Sequence, residues 1–118
     1  MTQEEKELLL KDLCARLPYG VKIQVPYEDG SGYFDETVWE VNNDGPFHVN
    51  GWGIEYEYVK PYLFPLSSIT KKTLEELSAY IDIKNAYVAV EFFNSHHIDY
   101  RGLIEKGLAI DATGLDIY

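Results

Sequence analysis

Cysteine occurs once in this sequence of 118 residues, at Cys14. A single thiol excludes an intramolecular disulfide and any Cys-rich zinc site, and it fits a reducing compartment. Positive charge is also scarce: ten Lys and Arg stand against twenty Asp and Glu, a formal net charge of −10. Affinity for phosphate comes from many Lys and Arg contacts, so the expectation is no direct nucleic-acid ligand. No stretch approaches the roughly 18 consecutive apolar residues of a membrane span. The opening Met-Thr-Gln-Glu-Glu-Lys-Glu lacks the basic-then-apolar order of a secretory signal. A cytoplasmic protein with no membrane partner is expected. Glycine-rich phosphate loops are missing too. "GSG" at Gly30 and "GWG" at Gly51 are too short and too acidic in context to cradle phosphate, and read as hairpin turns. There is no internal repeat and no low-complexity run.

What is present is apolar content close to half of the chain, enough for one cooperative domain over residues 1–118. Residues 1–17 read as a helix. Thr2 and Glu5 have capping-box spacing, acids fill the first turn, and Leu9, Leu10, Leu13 and Leu17 form one side, with Cys14 beside Leu10 as a small buried hydrophobe. Pro18 and Gly20 end it. From Val21 the period changes to two, with Val21, Ile23 and Val25 on one face of a strand. "PYEDGSG" is turn chemistry, and in "YFDETVWEVN" Tyr33, Thr37, Trp39 and Val41 alternate with charged neighbours. After the turn "NNDGP" come "FHVN", "GWG" and "IEYEYV". Four or five short strands over residues 21–59 predict a small twisted antiparallel meander that curls into an SH3-like barrel and so protects its edges.

"KPYLFPLSS" reads as an extended connection, because Pro61 and Pro65 disfavour both helix and central strand. Two helices are expected over residues 68–97, the first carrying Leu74, Leu77 and Ile81, the second running from Lys84 to about Ser95. Residues 98–118, with glycines at 102, 107 and 114, form a packed tail. The fold class is α+β.

Two regions could carry function. In "HHIDYRG", His96 and His97 border the core face if the preceding helix continues, and both suit a helix end, where an imidazole interacts favourably with terminal carbonyls. Metal ligation by either histidine with Asp99, joined by Glu105 or Asp111, is disfavoured because adjacent histidines diverge and zinc sites on helices use ligands three or four apart. An acid/base role for His97 and Asp99 lacks an accompanying nucleophile or oxyanion hole. Asp99 is expected to accept backbone hydrogen bonds in a turn with Gly102 at positive φ, leaving Arg101 to pair with an acid, for example in the tail. No catalytic residue, metal or cofactor is assigned.

The other region is the middle of the chain. Between Glu28 and Glu57 lie eight acids and no Lys or Arg, interleaved with eight aromatics from Tyr27 to Tyr58. Such a surface fits the centre and rim of a contact with a basic protein, centred on Trp52, Glu55, Glu57, Asp35 and Glu40. A sharper version is mimicry of nucleic acid. The alternative is a small-ligand or metal-binding protein or enzyme using His96, His97, Asp99 and Arg101. A third reading takes the acidity as solubility alone and has the protein work as a homodimer through an apolar surface.

"MTQEEKELLLKDLCARLPYGV", "VKPYLFPLSS" and "HHIDYRGLIEKGLAI" resemble recurring segments of a group of small proteins of gut bacteria and their phages and mobile elements. The resemblance covers about half of the chain in three places. It implies a shared scaffold of helix and tail around a variable acidic middle, and it carries no activity, cofactor or catalytic residue to this chain.

Overall fold

A computed structural model describes residues 2–27, 29–38, 40–42, 45–47, 59–69, 75 and 86–118, with backbone alone for 40–42, 45–47 and 86–89. Its fold is α+β, with an N-terminal helix, a mixed five-stranded sheet and a later helix. Helix α1, Gln3–Arg16, starts in a complete capping box: Glu5 N–H donates to Thr2 Oγ1 at 3.1 Å and Thr2 N–H to Glu5 Oε1 at 2.9 Å. A 3₁₀ turn at Leu17–Tyr19 follows, and Gly20 leaves it in the left-handed region at φ 68°.

The buried stripe of α1 differs from the one its leucines suggest. Leu9, Asp12, Leu13 and Arg16 are the buried positions, spaced three and four apart, while Leu10 and Leu17 are half-buried and Cys14 is exposed. An ion pair on the core side rotates the helix away from the all-leucine face, so Cys14 is no core hydrophobe.

Strand β1, Lys22–Pro26, buries Val21, Ile23 and Val25 as its period requires, and pairs antiparallel with β2, Tyr33–Thr37, in the register Lys22↔Thr37 to Pro26↔Tyr33. In β2 the inward parity is the reverse of the expected one: Phe34 packs on the core and Val38 is buried, while Tyr33 and Asp35 face outward. The connecting turn sets this register. Tyr27 N–H bonds Gly32 C=O at 2.9 Å, and Ser31 N–H bonds Asp29 at 2.9 Å. A shift of one residue exchanges the two faces of a strand. Strands β3, Glu40–Asn42, and β4, Gly45–Phe47, form a separate antiparallel hairpin.

Lys60–Pro65 is strand β5 rather than a connection, and it is the hub of the sheet: it pairs antiparallel with β1 and parallel with both β6, Ile98–Asp99, and β7, Ile110–Asp111. Alternation along the strand explains why two prolines are tolerated there. Neighbouring residues direct their hydrogen-bonding groups to opposite edges. Phe64 N–H donates to His97 C=O at 2.8 Å, whereas Leu63 C=O accepts from Ala112 N–H at 2.8 Å. The β1–β5 pairs are Ile23↔Pro61 and Gln24↔Lys60, and beyond them one hydroxyl bridges Lys22 N–H and Tyr62 C=O, so β6 continues the edge that β1 leaves. Pro61 and Pro65 share the parity of Leu63 and place their ring nitrogens toward the other edge, on either side of the two-residue β7 pairing.

The described strands make an open sheet with parallel pairs and do not close into an antiparallel barrel. The later helix, α2, spans Ala86–Ser95. The earlier expected helix, with Leu74, Leu77 and Ile81, lies outside the described residues, as do Trp52, Glu55 and Glu57. Leu9, Leu13, Ile23, Leu63, Leu103 and Leu108 meet in one core, so residues 103–109 are part of it and not an appendage. Full burial of each such side chain contributes about 1.5–3 kcal/mol.

Candidate functional site

Helix α2 ends where its sequence turns polar. His96 N–H bonds Phe92 C=O at 3.1 Å and His97 N–H bonds Asn94 C=O at 3.2 Å. His97 then takes φ 58°, the left-handed conformation that closes a helix. That reversal sends the two histidines apart. His96 is exposed, its ring tilted over Phe92 at a centroid distance of 4.3 Å. His97 is only 8% exposed and lies flat against the ring of Tyr118, with centroids 3.8 Å apart and planes within 10°. Its Nδ1 is buried without a hydrogen-bond partner among the described residues. Burial first, then the positive charges of Arg16, His96 and Lys22, push the imidazole down to about 4, so it is neutral at neutral pH.

Asp99 is buried and uses both oxygens on backbone: Leu103 N–H donates to Oδ1 at 2.8 Å and Ile104 N–H to Oδ2 at 2.9 Å. Gly102, at φ 74°, makes the bend that brings those amides round. Arg101 pairs with Asp12 of α1, Nη1 to Oδ1 at 2.9 Å, rather than with an acid of the tail. The other oxygen of Asp12 accepts from Arg16 Nε at 2.8 Å. Arg16, fully buried, also donates to Phe93 C=O at 3.3 Å and to Ile98 C=O. Between them, these groups tie α1, the end of α2 and β6 into one seam. Tyr100 completes it. Its hydroxyl donates to Asn94 Oδ1 at 2.9 Å, and its ring lies 4.5 Å from the Arg101 guanidinium and 5.7 Å from the Phe93 ring.

The four-residue set His96, His97, Asp99 and Arg101 is therefore not brought together around a shared space. Three of its members are held by internal contacts, and His96 alone faces solvent. Among the described residues no three of His, Cys, Asp and Glu converge as metal ligands. Sequence reasoning missed Asp12 and Arg16, although their i,i+4 spacing with the acid first, on the Leu9–Leu13 face, was a usable signal. It also missed Tyr118. That hydroxyl accepts from Lys22 N–H at 2.8 Å and donates to Tyr62 C=O at 2.7 Å, bridging β1 and β5 where they separate. Burial raises its pKa.

The hairpin of β1 and β2 is different. Tyr33 is 64% and Tyr27 48% exposed, with the Tyr27 ring 5.1 Å from Phe34. Asp29 and Asp35 are exposed on the same hairpin. Asp29 is held below the usual carboxylate range by hydrogen bonds from Ser31. Asp35 accepts from the buried Tyr62 hydroxyl, and burial together with that carboxylate pushes Tyr62 up to about 12. Of the remaining candidate residues, the backbone of Glu40 lies in β3. The chain matches no family model, no curated protein and no solved structure. No described helix is long and apolar enough to cross a membrane.

Proposed function

We propose that this protein is a non-enzymatic interaction module whose acidic, aromatic strand surface engages a basic protein. The observation that carries this reading is the outward parity of β2, which presents Tyr33 and Asp35 to solvent beside Tyr27 and Asp29. Exposed aromatics give an interface its contact area, and surrounding carboxylates select a cationic partner and speed its approach. In this proposal the sheet belongs to an SH3-like barrel, and Trp52, Glu55 and Glu57 act with Asp35 and Glu40 in the contact. An accessory or regulatory protein of a phage or mobile element, acting in the cytoplasm, fits such a module. Its sharpest form is mimicry of nucleic acid, with carboxylates in phosphate-like positions blocking a host protein.

The test is retention of partners from a bacterial lysate at low salt, released with a salt step. It is compared with a variant carrying Asp35→Lys, Glu40→Lys, Glu55→Lys and Glu57→Lys. A protein that elutes sharply with salt and is not retained by the variant supports the reading, because screening weakens exposed charge contacts. Retention unchanged in the variant overturns it.

A further inference from the structure

A cleft of about 400 Å³ opens where the last turn of α2, the end of β5 and the turn after β7 meet. Its apolar wall is Phe64, Ile69, Phe92 and Ile98. The rim is polar, with Ser68, Thr113 and the exposed ring of His96. The volume is at the small end of the range of roughly 300–1,000 Å³ for ligand pockets, suited to one large side chain rather than a length of chain. Ser68 Oγ donates to Pro65 C=O at 2.6 Å, and its lone pairs can accept from an indole N–H or a phenol. Leu66 and Leu115, each 50% exposed, lie close in the chain to lining residues Ser68 and Gly114.

Charge decides the kind of occupant. Among the described residues, no Asp, Glu, Lys or Arg lines the cleft. In the chain, exposed Asp111 and Asp116 flank Thr113–Gly114; the Asp111 carboxylate accepts from Thr113 N–H at 2.9 Å, and the Lys22 ammonium is bonded to Ile117 C=O at 2.8 Å. An apolar socket with the Asp111 carboxylate bonded to one of its lining residues, on a chain of net charge −10, complements an aromatic side chain with cationic neighbours. We infer that this cleft is an anchor socket for a tryptophan or tyrosine flanked by Lys or Arg in a basic peptide segment of a protein partner. The inference rests on the proposed basic partner and adds a second contact site to it, remote from Tyr33 in the sequence.

The test follows backbone amide resonances of the full chain during titration with three peptides: Lys-Lys-Trp-Lys-Lys, Lys-Lys-Ala-Lys-Lys and Glu-Glu-Trp-Glu-Glu. The expected result is saturable shifts at Phe64, Phe92, His96 and Gly114 with the first peptide, and binding at least about tenfold weaker with either of the others. Thr113→Trp, which fills the mouth from an exposed position, should abolish those shifts. Ser68→Trp is the second plug should Thr113→Trp lose its dispersed spectrum. Equal binding of the alanine peptide, equal binding of the acidic peptide, or no shift at the cleft overturns the inference. Shifts confined to Tyr33 and Asp35, lost in Asp35→Lys, overturn the socket and leave the acidic-face reading standing.

Discussion

The seam around Arg16 and the hairpin around Tyr33 use similar residue types to opposite ends. In the seam, Asp12, Asp99 and Arg16 are buried and bonded to each other, to Arg101 or to backbone, and the Tyr100 hydroxyl bonds Asn94. On the hairpin, Tyr27, Tyr33, Asp29 and Asp35 remain largely in water. Chemistry-bearing residues in a sequence therefore do not mark a site by themselves. A buried and fully partnered group contributes to the fold, and an exposed one is available to another molecule. "HHIDYRG" attracts attention as a sequence, yet in the folded chain Asp99, Tyr100 and Arg101 are spent on internal hydrogen bonds and His97 on the Tyr118 ring, while His96 is exposed.

The sharpest way to break this contrast is to cut the seam. Arg16→Ala strands the carboxylate of Asp12 with Arg101 alone and takes the guanidinium donor from the Phe93 and Ile98 carbonyls, the latter keeping only Tyr100 N–H. Removing one partner of a buried ion pair costs about 3–5 kcal/mol. Urea unfolding should therefore show a large drop in midpoint with little change in slope. Asp12→Ala should fall in the same range, and the double variant should be less destabilised than the two losses added together, because the groups are in contact. Additive losses would mean that the pair does not act as a unit.

The next effect depends on pH. His97 binds its proton at about 4 in the fold, against an ordinary value of 6.5. Between those values the unfolded chain takes up a proton that the folded chain excludes, so unfolding is favoured as pH falls. Stability from this group is full above about pH 6.5 and declines down to about pH 4, by roughly 3 kcal/mol in all. The charges that resist protonation come from three elements: Arg16 on α1, Lys22 on β1, and the neighbouring His96. In His97→Phe, which keeps a ring against Tyr118, the slope of stability against pH over that window should flatten. An unchanged slope would assign it to other groups.

Smaller again is the backbone cap. Asp99→Ala leaves the amides of Leu103 and Ile104 without their acceptor, a cost of about 1–3 kcal/mol. Hydrogen exchange should quicken at those two amides more than in β1. Equal protection in the variant and the parent would remove Asp99 from the seam.

How much of this contrast could be read in advance depends on the range of the interactions. The capping box of α1, the alternation of β1 and the Asp99–Gly102 turn are set by residues within five positions of one another, and the sequence shows them. The position of β5 is set by partners far away: β1 near residue 23, β6 at 98 and β7 at 110. Two prolines seemed to forbid it, and only the edge to which each ring nitrogen points shows that they do not. The inward face of β2 is hard to read from the sequence for a related reason. Tyr33 and Phe34 are equally apolar as letters, and the hairpin register decides between them. For the candidate site, the exposed acids could be seen, but the partners of the histidine segment could not. Arg16 and Tyr118 reach it from the two ends of the chain.

The smallest stability effect is the most informative for function. Tyr33→Ser removes an aromatic side chain from a position 64% exposed, and surface substitutions of this kind usually change stability by less than about 0.5 kcal/mol. Thermal unfolding of the variant should overlay that of the parent. If the hairpin is the contact face, retention of a basic partner should nevertheless fall at least about tenfold, because exposed aromatics at the centre of an interface dominate its energy. The Arg16→Ala variant, at a temperature where it remains folded, should show the reverse pattern of reduced stability with unchanged retention. A Tyr33→Ser variant that loses stability but keeps its partner would place Tyr33 in the fold and remove the hairpin from the contact face. Separation of the two effects would show that stability and recognition reside in different parts of the same small sheet.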